Sequence, residues 1–228
     1  MTNNELKRLA AETAVEQVKS NMVLGLGTGS TTRYAVLKLG ELWLERRLTG
    51  IVGIPTSEAT AQLAAGMGIP LTSLDDHADI DLAIDGADEV DPALNLIKGL
   101  GGALLREKMV EQNARRLIIV ADESKLSPRL GTVSPLPVEV VRFGWRYQAR
   151  WLASLGCTPL LRGSEAAPYV TDNGNYILDC RFHNGISDPV ELAHRLQNRV
   201  GVVEHGLFLG MASQVIVATR EGVRVMSR

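Results

Sequence analysis

Groups able to do acid–base chemistry are concentrated in one short span, Asp81 to Lys108, DLAIDGADEVDPALNLIKGLGGALLREK. Asp85, Asp88 and Glu89 follow an apolar run, Asp81-Leu82-Ala83-Ile84. That run is too apolar for a surface loop and too short for a free helix, so it reads as a buried strand that stops at Asp85-Gly86. Carboxylates beyond the end of such a strand face the ligand crevice of an open α/β sheet. Lys98-Gly99-Leu100-Gly101-Gly102 comes next and leads into Ala103-Leu104-Leu105-Arg106-Glu107-Lys108, a glycine-rich turn feeding the start of a helix. Free backbone N–H groups there attract anions and stabilise negative charge. Acids, one lysine and clustered N–H donors suit a small, anionic, oxygen-rich substrate, and proton transfer above all.

A second stretch carries glycine and hydroxyls. Met22-Val23-Leu24-Gly25-Leu26 reads as a buried strand and runs into Gly27-Thr28-Gly29-Ser30-Thr31-Thr32, ahead of a leucine-rich helix over 34–46. A dinucleotide site wants G-x-G-x-x-G and an acid at the end of the second strand. Here Gly25, Gly27 and Gly29 are spaced G-x-G-x-G, and the second strand, Ile51-Val52-Gly53-Ile54, has no acid before Glu58. A Walker loop needs a lysine that does not follow Gly29. Two readings remain: a site for a single phosphate monoester, made of hydroxyls and N–H groups, or a tight turn capped by Ser30 or Thr31.

The surrounding elements follow from periodicity. An amphipathic helix is expected over 4–19, a helix over 57–66, a short strand over 69–71, an acidic turn over Asp75–Asp79, a helix from 103 to about 115 and a strand over 117–121 that ends before Lys125. Alternating helix and strand implies parallel βα units, a Rossmann-like, mostly parallel sheet. Pro128, Gly131, Pro135 and Pro137 break the pattern and mark a domain boundary. Beyond it the order is strand (138–141), helix (144–155), strand (158–161), a hairpin of 169–171 with 176–180 turning at Asn173-Gly174, helix (189–199) and strand (201–205). That is close to the split βαβ of a ferredoxin-like α+β domain. A last hairpin, 215–218 with 223–226, should return to the first sheet. The expected division is 1–130 plus 206–228 for the α/β catalytic domain and 131–205 for the smaller one.

Composition narrows the classes. The 228 residues are 45% hydrophobic and 22% charged, with a formal net charge of -2, so nothing advertises nucleic acid or a membrane as partner. No apolar run approaches a bilayer span and no signal-peptide core opens the chain, which points to the cytoplasm. Cys157 and Cys180 are read as separate buried thiols. His77, His183, His194 and His205 lack zinc spacing, so no metal is expected.

Taken together, Asp85-Gly86-Ala87-Asp88-Glu89, Lys98-Gly99, Arg106-Glu107-Lys108 and Gly27-Thr28-Gly29-Ser30-Thr31 resemble ribose-5-phosphate isomerase of type A. Ala121-Asp122-Glu123-Ser124-Lys125, Pro135-Leu136-Pro137-Val138-Glu139, Thr171-Asp172-Asn173-Gly174-Asn175 and Gly206-Leu207-Phe208 extend the likeness in the same order along the chain. The resemblance implies an aldose–ketose isomerase that interconverts ribose 5-phosphate and ribulose 5-phosphate through an enediolate, without metal or cofactor, as a homodimer or larger homo-oligomer. Glu107 would be the base, a role helped by its place in the first turns of a helix. Asp85 and Asp88 would serve the sugar hydroxyls, with Gly86 and Ala87 beside them. Lys98, with the turn Gly99, Leu100 and Gly101, would stabilise the enediolate oxygen. Thr28, Gly29, Ser30 and Thr31 would line the substrate site, and Lys125 would add positive charge. Leu100 stands where family members often carry glycine. A non-catalytic sugar-phosphate sensor is the alternative from another class, and a nucleotide-binding oxidoreductase is disfavoured by the missing ribose acid.

Overall fold

The structure is a computed structural model and describes every residue from Met1 to Arg228 except Ala78, so part of the acidic turn expected over Asp75–Asp79 lies outside the described residues. The first elements are α1 (Asn3–Val15), β1 (Val23–Leu26), α2 (Thr32–Leu44), β2 (Val52–Pro55), α3 (Glu58–Gly66) and β3 (Leu82–Gly86). Then come β4 (Glu89–Val90), β5 (Leu96–Ile97), α4 (Leu104–Glu111), β6 (Leu117–Asp122) and a 3₁₀ turn at Glu123–Lys125. The remainder is β7 (Leu136–Val140), α5 (Trp145–Ala153), β8 (Thr158–Leu161), β9 (Tyr176–Arg181), α6 (Pro189–Gln197), β10 (Val202–His205), β11 (Leu207–Phe208), β12 (Gln214–Thr219) and β13 (Gly222–Ser227). No helix among the described residues is long and apolar enough to cross a membrane.

The chain forms two compact units. The first comprises Met1–Ala87, Arg106–Ser124 and Met211–Arg228. Its sheet has the order β13-β12-β6-β3-β1-β2, parallel throughout except for the edge strand β13. All six residues of β6, Leu117 to Asp122, are buried, as a strand covered on both faces requires. Leu6, Ala10 and Ala14 recur every four residues on α1 and meet Val36 and Leu39 of α2, and Ile118 and Ile216 of the sheet, in one core. A capping box between Thr2 and Glu5 starts α1. The helix ends at Val15, earlier than the apolar spacing suggests, and Val18 still reaches the core from the following turn.

The second unit comprises Asp88–Leu105 and Lys125–Gly210. Its main sheet is antiparallel with the order β10-β7-β9-β8, the strand order of a ferredoxin-like βαββαβ domain. The expected hairpin is not its basis. β9 has β7 on one side and β8 on the other, so residues 169–171 find no free edge to pair with. Instead they close a loop in which Gly174 donates to Thr171 O and Thr171 N donates to Asn175 O. A three-stranded sheet, β11-β5-β4, is built from strands of two residues each, too short for any periodicity to reveal. The strand expected over 69–71 is reduced to one bridge, Leu71 with Gly53, and α4 stops at Glu111.

Cys157 and Cys180 are both buried and free, not joined in a disulfide. Cys157 Sγ donates to Leu152 O at 3.2 Å and Cys180 Sγ to Leu178 O at 3.7 Å, and the influence of one thiol on the other holds Cys157 below the ordinary cysteine range and, together with burial, pushes Cys180 well above it.

Candidate functional site

In the first unit β1 leads through α2 to β2 on one side, and the next strand, β3, joins β1 on the other. The strand order therefore reverses between β1 and β3, and the crevice beyond their carboxyl ends is where an open α/β sheet binds ligands. The glycine- and hydroxyl-bearing loop after β1 and the end of β3 at Asp85-Gly86 lie there. Gly27 N donates to Ile84 O at 3.0 Å, and Thr28 N donates to Asp85 Oδ1 at 3.0 Å. Thr32 Oγ1 and Gly86 N donate to the same oxygen at 3.1 and 2.6 Å. Asp85, 1% exposed, thus ties the loop after β1 to the end of β3. A side chain at position 27 would stand only 2.1 Å from Asp85 Cγ, so only glycine fits.

The loop hydroxyls divide into two sets. Thr28 Oγ1 is committed to Thr56, Ser57 and Thr60 at 2.7, 2.8 and 3.1 Å, so it braces the loop rather than facing a ligand. Ser30 is exposed and Thr31 half-buried. Thr31 starts α2 without a side-chain cap bond, which removes Thr31 from the capped-turn reading. Lys7, from α1, donates to Ser30 Oγ at 3.0 Å. A cation, two hydroxyls and the start of α2 just beyond the exposed Gly29 suit a phosphate. Lys7 was invisible to sequence reasoning because it reads as one more lysine on the polar side of an amphipathic helix.

Glu107 lies in the first turn of α4 and is 3% exposed, which excludes a place on a solvated helix face. Its neighbour Arg106 pairs with Glu58 at 2.7 Å. Lys108 and Glu111 are buried on the same helix, an unusual density of charge inside a protein.

In the second unit the glycine turn is held at several points. Lys98 N donates to Gly206 O and Gly102 N to Gly99 O. Leu100 N donates to Asp88 Oδ2 at 2.9 Å. Among the described residues the amides of Gly99 and Gly101 donate to no protein acceptor, and they are the donors left for a ligand. Gly99 (φ +104°) and Gly102 (φ +83°) take the left-handed angles, whereas Leu100 does not. Leucine at 100 is therefore tolerated without backbone strain. Lys98 is 2% exposed, with Nζ 5.3 Å from the centre of the Phe208 ring. Lys125 is half-buried in the 3₁₀ turn and, among the described residues, makes no salt bridge.

One acid of the cluster is a structural group. Glu89 is 0% exposed in β4 and accepts from the backbone amides of Gly131, Thr132, Val133 and Ser134 and from Thr132 Oγ1. It anchors a loop and does not face a cavity.

Comparison with known proteins matches this chain to one family. The family model of ribose 5-phosphate isomerase A (phosphoriboisomerase A) matches residues 52–222. Ribose-5-phosphate isomerase A of Synechococcus sp. (strain JA-3-3Ab) is 52% identical over 98% of this chain and 97% of its own. Probable ribose-5-phosphate isomerase 3, chloroplastic, of Arabidopsis thaliana is 53% identical over 100% of this chain and 85% of its own. A solved D-ribose-5-phosphate isomerase in complex with phospho-erythronic acid matches with a TM-score of 0.97 and 43% identity, each chain covered to 100%. The chain belongs to the ribose 5-phosphate isomerase A family.

Proposed function

We propose that this protein interconverts D-ribose 5-phosphate and D-ribulose 5-phosphate through a cis-enediolate, with Glu107 as the base. The observation that carries the reading is Glu107 itself, a carboxylate held in the first turn of a helix and almost wholly removed from water. Glu107 takes the C2 proton of the open-chain aldose; the C–H electron pair becomes the C1–C2 double bond and the C1 carbonyl oxygen takes up the charge. Return of the proton to C1 gives the ketose. Lys98 and the amides of Gly99 and Gly101 supply positive charge and donors for the enediolate oxygens. Asp85 and Asp88 serve ring opening and the exchange of a proton between O1 and O2, with Gly86 and Ala87 forming the backbone between them. The phosphate is assigned to Gly29, Ser30 and Thr31 with Lys7, and Lys125 adds positive charge. Phospho-erythronic acid, which a similar protein binds, fits this chemistry, because its planar carboxylate resembles the enediolate. The reaction belongs to the non-oxidative pentose phosphate pathway.

The test is direct observation of ribulose 5-phosphate formed from ribose 5-phosphate, with and without Glu107→Gln. The substitution should lower turnover by roughly three or more orders of magnitude while ribose 5-phosphate still binds in calorimetry. Near-normal turnover would remove Glu107 from the role of base.

A further inference from the structure

Arg162 follows β8, far in sequence from every site residue discussed so far, and four of its five guanidinium N–H groups are engaged. Nε and Nη2 form a two-point pair with Asp179 of β9, at 2.9 and 2.6 Å. Nη1 donates to Gly99 O and to Leu100 O, each at 3.0 Å. Arg162's own backbone is fixed by Arg162 N to Ile177 O and Tyr169 N to Arg162 O, both at 2.9 Å. The Tyr169 ring lies 5.7 Å from the guanidinium carbon. Its hydroxyl stands where a Cβ on Gly102 would be, 2.1 Å away, so it closes the other end of the turn.

A trans peptide is planar, and its C=O and N–H point in opposite directions. Fixing Leu100 O therefore fixes the direction of Gly101 N–H, which points away from Arg162. Fixing Gly99 O does the same for Leu100 N–H, and that group is the one that meets Asp88 Oδ2 at 2.9 Å. One guanidinium thus sets the aim of an amide left for a ligand and, through a single peptide plane, the place of the Asp88 carboxylate. Asp179 balances its charge at the far side and orients the planar fork, which a lysine cannot reproduce.

We propose that Arg162, anchored by Asp179, is a positioning residue of the isomerase: it holds Gly101 N–H and Asp88 in register for the enediolate. The inference rests on the assignment of this turn to the enediolate oxygen in the proposed function. Because Arg162 acts on the charge that develops during reaction rather than on the resting sugar, its loss should appear in kcat and not in KM.

The experiment compares the parent protein, Arg162→Lys and Asp179→Asn in steady-state conversion of ribose 5-phosphate, with binding of phospho-erythronic acid measured by calorimetry. Arg162→Lys should lower kcat about 10- to 100-fold, below the full loss of an oxyanion donor, with KM within about threefold. Affinity for phospho-erythronic acid should fall by the same factor as kcat/KM. Asp179→Asn, which keeps the guanidinium but loosens its anchor, should lower kcat about 3- to 10-fold with the same split, and it decides the matter if Arg162→Lys does not fold. Unchanged kcat and unchanged affinity for the acid in a folded variant overturn the positioning role. So does a loss confined to KM or to melting temperature. Failure of the parent protein to form ribulose 5-phosphate overturns the isomerase reading itself, and that outcome is read before any variant is made.

Discussion

Replacing Glu89 separates an acid that holds the fold from acids that meet a substrate. Its two oxygens are not equivalent. Oε2 accepts from Gly131 N at 3.0 Å and Ser134 N at 2.9 Å, and both residues are buried. Oε1 accepts from Thr132 N, Thr132 Oγ1 and Val133 N, each at 3.2 Å, in residues that are exposed. When the carboxylate is removed, water can reach the exposed donors but not the buried pair. Hydrogen bonds to a charged group contribute roughly 1.5–3 kcal/mol each, so Glu89→Ala should destabilise by about 3–6 kcal/mol through the two buried amides. Glu89→Gln keeps one oxygen for that pair and turns its NH₂ toward donors at the loop, so its cost should be nearer 1.5–3 kcal/mol. The assay is equilibrium unfolding in urea followed by tryptophan fluorescence, since Trp145 and Trp151 lie in the same unit on α5. KM of the folded Gln variant should match the parent. An Ala variant within about 0.5 kcal/mol of the parent, the range of ordinary surface changes, would refute the reasoning. So would a fully stable Gln variant with altered KM, the behaviour of an acid that touches substrate.

Lys7→Ala should raise KM for ribose 5-phosphate about tenfold with kcat nearly unchanged, because a half-exposed cation near Ser30 attracts phosphate equally in ground and transition states; an unchanged KM would remove Lys7 from the phosphate site. The cysteine pair gives a pH prediction. Cys157 accepts stabilisation from the Cys180 thiol and lies below the ordinary range, so its thiolate, the reactive form, should appear at lower pH than in a free cysteine. Cys180→Ala removes the neighbouring thiol and should move the midpoint of Cys157 alkylation upward, whereas Cys180→Ser, which keeps a polar hydrogen there, should not; equal midpoints in all three proteins would contradict an influence of Cys180 on Cys157.

Much of the fold was legible because local signals agree with it. The apolar runs of β1, β3 and β6 and the four-residue recurrence on α1 are short-range consequences of burial, and Ser57 and Asp188 do cap α3 and α6 by accepting backbone N–H groups. The misses have two causes. Strands of two residues carry no period, and the arm expected at 169–171 is refused by a sheet whose neighbouring edges are already filled, a fact of strand order and not of local sequence. Among the site residues, the glycine loop after β1 and the acid at the end of β3 were readable because the end of a parallel strand is a predictable place. Thr28 was assigned to the ligand, yet its hydroxyl is spent inside the protein on Thr56, Ser57 and Thr60.

From the chain alone came the alternation of strand and helix, the two glycine-bearing loops and the placement of a carboxylate at a helix start, all set by neighbours within a few residues. Tertiary structure decided which polar groups meet: Lys7 with Ser30, 23 residues apart, Glu89 with the 131–134 loop, and Arg162 with the carbonyls of Gly99 and Leu100, more than 60 residues away. Such bonds join a side chain to whatever backbone the strand order carries past it, and no periodicity in the sequence records that order.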